Sequence, residues 1–363
     1  MEEVYAARMG RLRDAMRSGG VRALWVHPSF DLRYLTGLAP LSMERVMGLL
    51  VPAEGQLQMV VPSMLLEESR HVPDCRFLDW DDTQGPEGAL KEALEGIGAV
   101  HVSETLPFGV VQQMRSARPS IDVEIDRGTV ASLRACKDAA EADALREASR
   151  VTDEMVMWVA SQHVGSMTEI ELARRISLRY QELGHHPWEE LLVASGANAS
   201  MPHYAGGDVP IDTAQPLLID IGAAVNGYQS DTTRVIFPAE VAPEVSDAYE
   251  VLLSAASAAF DSVAVGVPAQ EVDRVARSVI TEAGYGDYFI HRTGHGVGLD
   301  VHEHPYIREG NEVPLKAGNC FSIEPGIYVP GRFGLRYENL VLLTAEGAEA
   351  LNATPERLTF STP

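Results

Sequence analysis

The stretch HRTGHGVGLDVHEHP, residues 291–305, carries four of the chain's eleven histidines and three of its glycines. Imidazoles at this density point to metal ligation or proton transfer. The HExxH zinc signature would place two histidines one helical turn apart. This stretch does not contain it. His302-Glu303-His304 has the wrong spacing, and Gly294, Gly296 and Gly298 disfavour a helix through His295. If His295 is a ligand, its partners come from elsewhere in the chain.

Two pairs of carboxylates are candidates. LLIDIGAAVNGYQSDTTRVIF, residues 217–237, reads as two strands joined at Asn226-Gly227, a strong hairpin signal. With an even-length loop, paired positions add up to an odd number, as 220 and 231 do, so Asp220 and Asp231 share a face, opposite or one diagonal apart. Two like charges at that range repel unless something positive lies between them. The plainer reading, two solvated residues on an exposed face, fits one aspartate more easily than the pair. In FSIEPGIYVPGRFGLRYENLVLL, residues 321–343, Glu324 and Glu338 are equidistant from Gly331, and an odd-length loop centred there sets them face to face. Buried glutamate is rare unless paired or coordinated. Four strand-borne carboxylates and one imidazole make a hard ligand set with about four negative charges, suited to two divalent ions sharing bridging carboxylates. That set favours manganese-, cobalt- or iron-like occupancy over a thiolate-rich zinc site.

The elements that must position these groups fall into two parts with a boundary near residue 130, giving expected domains of 1–130 and 131–363. The first part reads as mixed α/β: a charged helix near 2–18, a strand at ALWV, a short helix around Asp31 to Leu35, the hairpin VMGLLVPAEGQLQMVV, and a helix, strand, helix, strand series to about Ile125. A short connection then leads to a long helix with Ala142, Leu145, Thr152, Met155, Val156 and Val159 near one face. In the second part, GSMTEIELARRISLRYQELG (165–184) and GVPAQEVDRVARSVITEAG (266–284) share one layout. Each opens on Gly, carries a helix-start signal (Thr168 with Glu171, or Pro268) and closes on Gly. The spacing suggests a duplicated α/β half, with His203 following the first copy and His295 the second.

Composition limits what the chain binds. Its net charge is −23, split −5 over residues 1–136 and −18 over the rest, which argues against nucleic acid and anionic membrane surfaces and leaves room for cations. The opening residues lack the apolar run of a secretory signal and no stretch approaches a membrane span, so the expected location is cytoplasmic. Three widely spaced cysteines, Cys75, Cys136 and Cys320, form no disulfide framework or CxxC site.

With Asp220, Asp231, His295, Glu324 and Glu338 in that order and spacing, the chain resembles the pita-bread metallopeptidases, the fold shared by methionine aminopeptidase, aminopeptidase P, prolidase and the metal-free creatinase. HRTGHGVGLDVHEHP and SIEPGIY are similar to the proline-peptidase branch, and a leading domain of about 130 residues is absent from simple methionine aminopeptidases. The resemblance implies a C-terminal pita-bread domain behind a smaller creatinase-like α/β domain, an α/β (α+β) chain overall. It implies that the five residues hold two divalent ions, with Mn2+ expected and Co2+, Zn2+ or Fe2+ as alternatives. It also implies that His203 and His302 meet the substrate carbonyl or the tetrahedral centre, that His291 borders the pocket, and that Glu324 doubles as ligand and proton acceptor. Homodimerisation is adopted from the same resemblance. Tyr228, Thr233 and Arg336 match supporting positions, Arg336 orienting a carboxylate or touching substrate. The family's RIED-like segment is RYEN here, so Asn339 departs from a common acidic position.

The implied activity is hydrolysis of Xaa-Pro bonds in proline-containing di- or oligopeptides, with prolidase expected and aminopeptidase P as the alternative. A dipeptide enzyme benefits from a cation for the substrate's free carboxylate, and Arg45 in LSMERVMGLLVP is the candidate. Such a bond is worth roughly 10- to 100-fold in preference. Arg45 paired with Glu44 is the competing reading. Metal-free, creatinase-like hydrolysis fits less well because the carboxylate set is complete. A catalytically silent peptide-binding module is the alternative from another class.

Overall fold

The protein is described by a computed structural model over residues 2–40, 44–188 and 191–360. Its contacts divide it into two units, Met1–Arg134 and Ala135–Pro363. Leu41, Ser42 and Met43, the start of the stretch that leads to Arg45, lie outside the described residues. No helix among the described residues is long and apolar enough to cross a membrane.

The first unit is built on a six-stranded mixed sheet: β1 (Ala23–Val26), β2 (Gly48–Pro52), β3 (Leu57–Pro62), β4 (Cys75–Trp80), β5 (Ala99–Val102) and β6 (Asp122–Ile125), in the order β4-β3-β2-β1-β5-β6. The β2–β3 pair is the expected hairpin, antiparallel like β1–β2, whereas β3–β4, β1–β5 and β5–β6 are parallel. Central strands read as near-continuous apolar runs because both faces are covered. Trp25, Leu50, Val60, Leu78 and Val100 share one core with Leu90 and Met114 from two of the helices. One expectation is corrected here. The segment after Asp126 is not a plain connection but a short helix, Thr129–Arg134, because Asp126 accepts from the Thr129 backbone N–H at 2.9 Å and from its hydroxyl.

The second unit repeats itself. The helix Ala139–Ala160, opened by an Asp138–Glu141 capping box and burying all six residues of the expected apolar face, precedes the helix Glu169–Glu182. The helices Pro243–Asp261 and Ala269–Glu282 form the second such pair. Thr168 and Glu171 make a reciprocal capping box, Pro268 takes the N-cap position, and Gly184 and Gly284 follow the helix ends in the left-handed region, at φ 82° and 87°. Equivalent backbone bonds recur: Glu169 N–H donates to Val209 O at 3.0 Å and Ala269 N–H to Val313 O at 3.1 Å. Thr168 bridges Pro210 as Pro268 bridges Pro314. The helix pairs pack into two cores, one centred on Ile176 and Ile219 and one on Leu252 and Phe321, the second also taking in Leu218 and Val235 from the strands of the first half.

Two hairpins carry the acidic residues. Strand Leu217–Ile221 runs antiparallel to Thr232–Phe237, and the register continues through Ala224↔Gln229 and Val225↔Tyr228 to a turn at Asn226 and Gly227, both at positive φ. Asp220 faces Thr233, which puts Asp231 one diagonal away, as the parity of the numbering requires. Strand Cys320–Ile323 pairs with Asn339–Leu343, and Gly326–Val329 with Phe333–Arg336. The register is symmetric about Gly331, at φ 69°, so Glu324 and Glu338 occupy matching positions where the ladder is interrupted.

Candidate metal centre and active site

The backbone delivers the five residues to one place. His295 lies in the strand Gly294–Gly296, where its flanking glycines are required by close approach. A Cβ at Gly294 would stand 1.8 Å from Ser322 O, and one at Gly296 2.2 Å from His304 O. The imidazole Nε2 of His295 is 3.1 Å from Glu324 Oε1 and 3.5 Å from Asp231 Oδ2. Ligating atoms of Asp231, His295 and Glu338 all lie within 4.8 Å of one another. Asp220 joins from the diagonal position through its contact with Arg336.

These residues fit divalent cations. Asp220 Oδ1 and Glu338 Oε1 are buried without a hydrogen-bond partner, which costs free energy unless a cation occupies the gap. The charges also conflict when no metal is counted. Burial, then the charges of Glu338 and Asp220, hold the Asp231 carboxyl well above the usual carboxylate range. Burial and then the charge of Glu324 do the same to Glu338. Burial opposes ionisation of Glu324 too, but the hydrogen bond and charge of His295 outweigh it and bring that carboxyl down to about 2. A cation between the carboxylates removes this repulsion.

Arg336 ties the cluster together. It is 4% exposed; its Nη2 donates to Asp220 Oδ2 at 2.5 Å, its Nε to Thr233 Oγ1 at 2.8 Å, and its Nη1 to the Tyr328 hydroxyl at 2.8 Å. The Thr233 hydroxyl in turn donates to Glu338 Oε2 at 2.8 Å. Nδ1 of His291 lies 2.7 Å from the carbonyl of Arg292, so Nδ1 is the protonated nitrogen and Nε2 accepts from Tyr328 at 3.0 Å. Ser322 Oγ donates to Glu324 Oε1 at 3.1 Å.

A cavity of about 1220 Å³ opens over the cluster, lined among others by His203, His291, Arg292, His302 and Arg336 together with Asp220, Asp231, His295, Glu324 and Glu338. The His302 ring meets the His295 ring edge-on, with centroids 4.2 Å apart. Burial and then the charge of His295 lower the His302 pKa to about 4, which leaves the ring neutral at physiological pH. His203 faces the same cavity from the loop after the first repeat. Arg45 belongs to the first unit, where it makes a two-pronged bond to Asp82 and a third contact to Glu44. His304 precedes Pro305 through a cis peptide and is exposed.

Some supporting residues differ from the sequence reading. Tyr228 bonds Glu141 Oε1 at 2.7 Å, anchoring the long helix, whereas Thr233 and Arg336 do reach Glu338 and Asp220. Tyr328, Ser322 and Arg292 were not singled out; Tyr328 and Ser322 sit inside apolar strand patterns, and only the fold brings them to the carboxylates.

Comparison with known proteins agrees with this geometry. Residues 143–345 match metallopeptidase family M24 and residues 8–136 match the creatinase/prolidase N-terminal domain. The protein named "Probable dipeptidase PepE" in Mycobacterium tuberculosis is 36% identical over 362 residues, 98% of this chain and 96% of that one. The "Xaa-Pro dipeptidase" of Pyrococcus horikoshii is 28% identical over 360 residues, 98% and 99% of the two chains. The crystal structure of a prolidase from Thermococcus sibiricus superposes with a TM-score of 0.93 at 32% identity, covering 98% of this chain and 99% of that one. With its leading creatinase-like domain and its pita-bread domain bearing four converging carboxylates and an imidazole, the chain belongs to metallopeptidase family M24.

Proposed function

We propose that the protein is an Xaa-Pro dipeptidase that uses two divalent metal ions held by Asp220, Asp231, His295, Glu324 and Glu338. The observation that carries this reading is the convergence of four carboxylates and one imidazole beneath a cavity, with two carboxylate oxygens lacking partners. The names of the relatives, dipeptidase, Xaa-Pro dipeptidase and prolidase, support the substrate class.

An Xaa-Pro bond is a tertiary amide with no N–H for a peptidase to grip. When bound, the two ions supply Lewis acidity and a water acidified toward neutral pH. Glu324 accepts the proton of the attacking water and returns it to the proline nitrogen as the C–N bond breaks. Oxygen thus goes to the carbonyl carbon, and proline leaves as a secondary amine. His302, neutral at physiological pH, and His203 donate hydrogen bonds to the substrate carbonyl and the oxyanion that follows. Arg336 holds Asp220 directly, and Glu338 through Thr233, against movement during these charge changes.

Hard oxygen donors outnumber the single imidazole, which supports Mn2+ as the occupant. The three cysteines are unpaired, which supports a reducing, cytoplasmic setting. Pairing of two copies as a homodimer rests on the family resemblance, and sedimentation tests it. Arg45 is proposed as the partner of the dipeptide's free carboxylate; to serve, it must exchange an exposed pairing with Asp82, and exposed pairings are weak.

One observation favours a second reading. The cavity of about 1220 Å³ exceeds the roughly 300–1,000 Å³ of ordinary small-molecule pockets, which gives room for the longer peptides taken by aminopeptidase P. Hydrolysis of Met-Pro and Met-Pro-Gly by metal-stripped protein resupplied with Mn2+ separates the two. Dipeptide cleavage alone supports the proposal, tripeptide preference supports aminopeptidase P, and cleavage of neither supports a silent binding module.

A further inference from the structure

Glu169, the first residue of its helix, is fully buried, yet no basic side chain pairs with it among the described residues. Its carboxylate is not used to cap its own helix, because Thr168 and Glu171 already form the reciprocal capping box. Instead it reaches across to the loop that follows strand Leu192–Ser195. Oε1 accepts from the Ser195 backbone N–H at 2.8 Å and from Asn198 Nδ2 at 3.0 Å, and Oε2 lies 3.2 Å from the same amide. Asn198 Nδ2 also donates to the Tyr204 hydroxyl at 3.1 Å. The carboxylate sits at the positive end of its helix dipole.

Every side-chain bond of Glu169 therefore ends on residues 195–204, the segment that carries His203 into the cavity. The opposite side of that segment is held by the hairpin of the metal ligands. A Cβ at Gly334 would stand 1.7 Å from Ala199 O, Gly331 N–H donates to Ser200 Oγ at 3.3 Å, and Arg336 Nη1 lies 3.5 Å from Pro202 O. The loop is clamped between the ligand hairpin and one buried carboxylate.

We infer that Glu169 is a positioning residue for the reaction: it fixes His203 against the reacting carbonyl by clamping the 195–204 loop to the helix N-terminus. This rests on the proposed role of His203. Glu169→Gln keeps the shape but replaces one of the two acceptor oxygens with a donor, leaving the Asn198 amide under-satisfied.

The test uses the full-length protein and two readouts. First, the ring resonances of His203, assigned by comparison with His203→Ala, are followed by NMR in metal-free wild type and Glu169→Gln. The inference expects the His203 signal to shift or broaden while those of His71 and His101 stay put; an unchanged His203 signal overturns it. Second, kcat and KM for Met-Pro are measured for Glu169→Gln, His203→Ala and the double variant. The expected result is a roughly tenfold or greater loss of kcat from Glu169→Gln that disappears in the His203→Ala background; additive losses overturn the inference. Should Glu169→Gln fold poorly, Asn198→Ala removes the same link from the other side and is read in the same two ways. Wild type that cleaves no Xaa-Pro substrate removes the proposed function, and the NMR readout still decides the clamp.

Discussion

Arg336 and Asp220 form a charged contact of 2.5 Å between a guanidinium and a carboxylate that is also a metal-ligand candidate. The same guanidinium serves Thr233 and Tyr328 from its other nitrogens. Only a planar fork meets three acceptors in this way. Replacing Arg336 with Met is expected to lower kcat/KM at least about 100-fold, ~3 kcal/mol, the scale of losing charged hydrogen bonds. Lys should restore little of it. Full activity in Arg336→Lys would show that charge alone suffices.

The acidic cluster makes metal binding and stability depend on pH in a fixed direction. Asp231 and Glu338 titrate above their unfolded values, near 4. The metal-free folded protein therefore holds more protons than the unfolded chain; their contribution is fully present below the unfolded pKa and is lost as pH rises through the folded one. Glu324, depressed to about 2, acts oppositely, but its contribution is complete above about 4.5 and fades only in stronger acid. Metal-free protein should lose Tm from pH 5 to 8 more steeply than Asp231→Asn does, and added Mn2+ should raise Tm more at pH 8 than at pH 5. Parallel curves for the two proteins would contradict this account.

Arg234 is fully buried, beneath the Tyr337 ring at 4.5 Å, and donates to Glu338 O, Thr233 O and Asn339 Oδ1. Its Nε has no hydrogen-bond partner, and no carboxylate pairs with it among the described residues. The Asn339 amide stands where a carboxylate would neutralise the charge. Asn339→Asp should stabilise the protein by about 1–3 kcal/mol, the difference a charged acceptor makes at a buried guanidinium. Urea unfolding at pH 7 measures it, and a lower midpoint would mean that repulsion from Glu338 outweighs the new pair.

Lys137 and Glu303 form an ion pair with side chains only 1% and 7% exposed, 2.7 Å apart, next to His302. Removing one partner strands the other. Lys137→Met is expected to cost about 3–5 kcal/mol, and adding Glu303→Leu should recover much of that, since a buried pair is often replaceable by apolar contact. Chemical denaturation of the single and double variants decides; a double variant no more stable than the single one would mean that the pair is needed for packing as well as charge.

Arg45→Ala should raise KM for Met-Pro roughly 10- to 100-fold and leave Met-Pro-Gly little changed, if the arginine reads the carboxylate that follows proline. Equal losses on both peptides would remove it from substrate recognition.

Much of this site was legible because hairpin registers are arithmetic. The parity of 220 and 231, and the symmetry of 324 and 338 about Gly331, needed only a turn and a period of two. The repeat was visible for a similar reason: its punctuation by Thr168, Pro268, Gly184 and Gly284 is local chemistry. What could not be read was the company these residues keep across the fold. Tyr328 looks like any strand aromatic until Arg336 meets it eight residues later across the hairpin, and Tyr228, an equal candidate by proximity in sequence, bonds Glu141 87 residues away. Nothing in its own stretch of sequence marks Glu169, the first residue of a charged helix, as buried. Burial inverted its meaning.

Because one hairpin supplies Asp220 and Asp231 and the other Glu324 and Glu338, the ligands assemble only when distant stretches of chain have folded together. A nascent or half-unfolded molecule holds at most a fragment of the donor set and should capture metal weakly. Tight metal uptake thus acts as proof of completed assembly, so metal titration of a refolding sample should count the finished molecules.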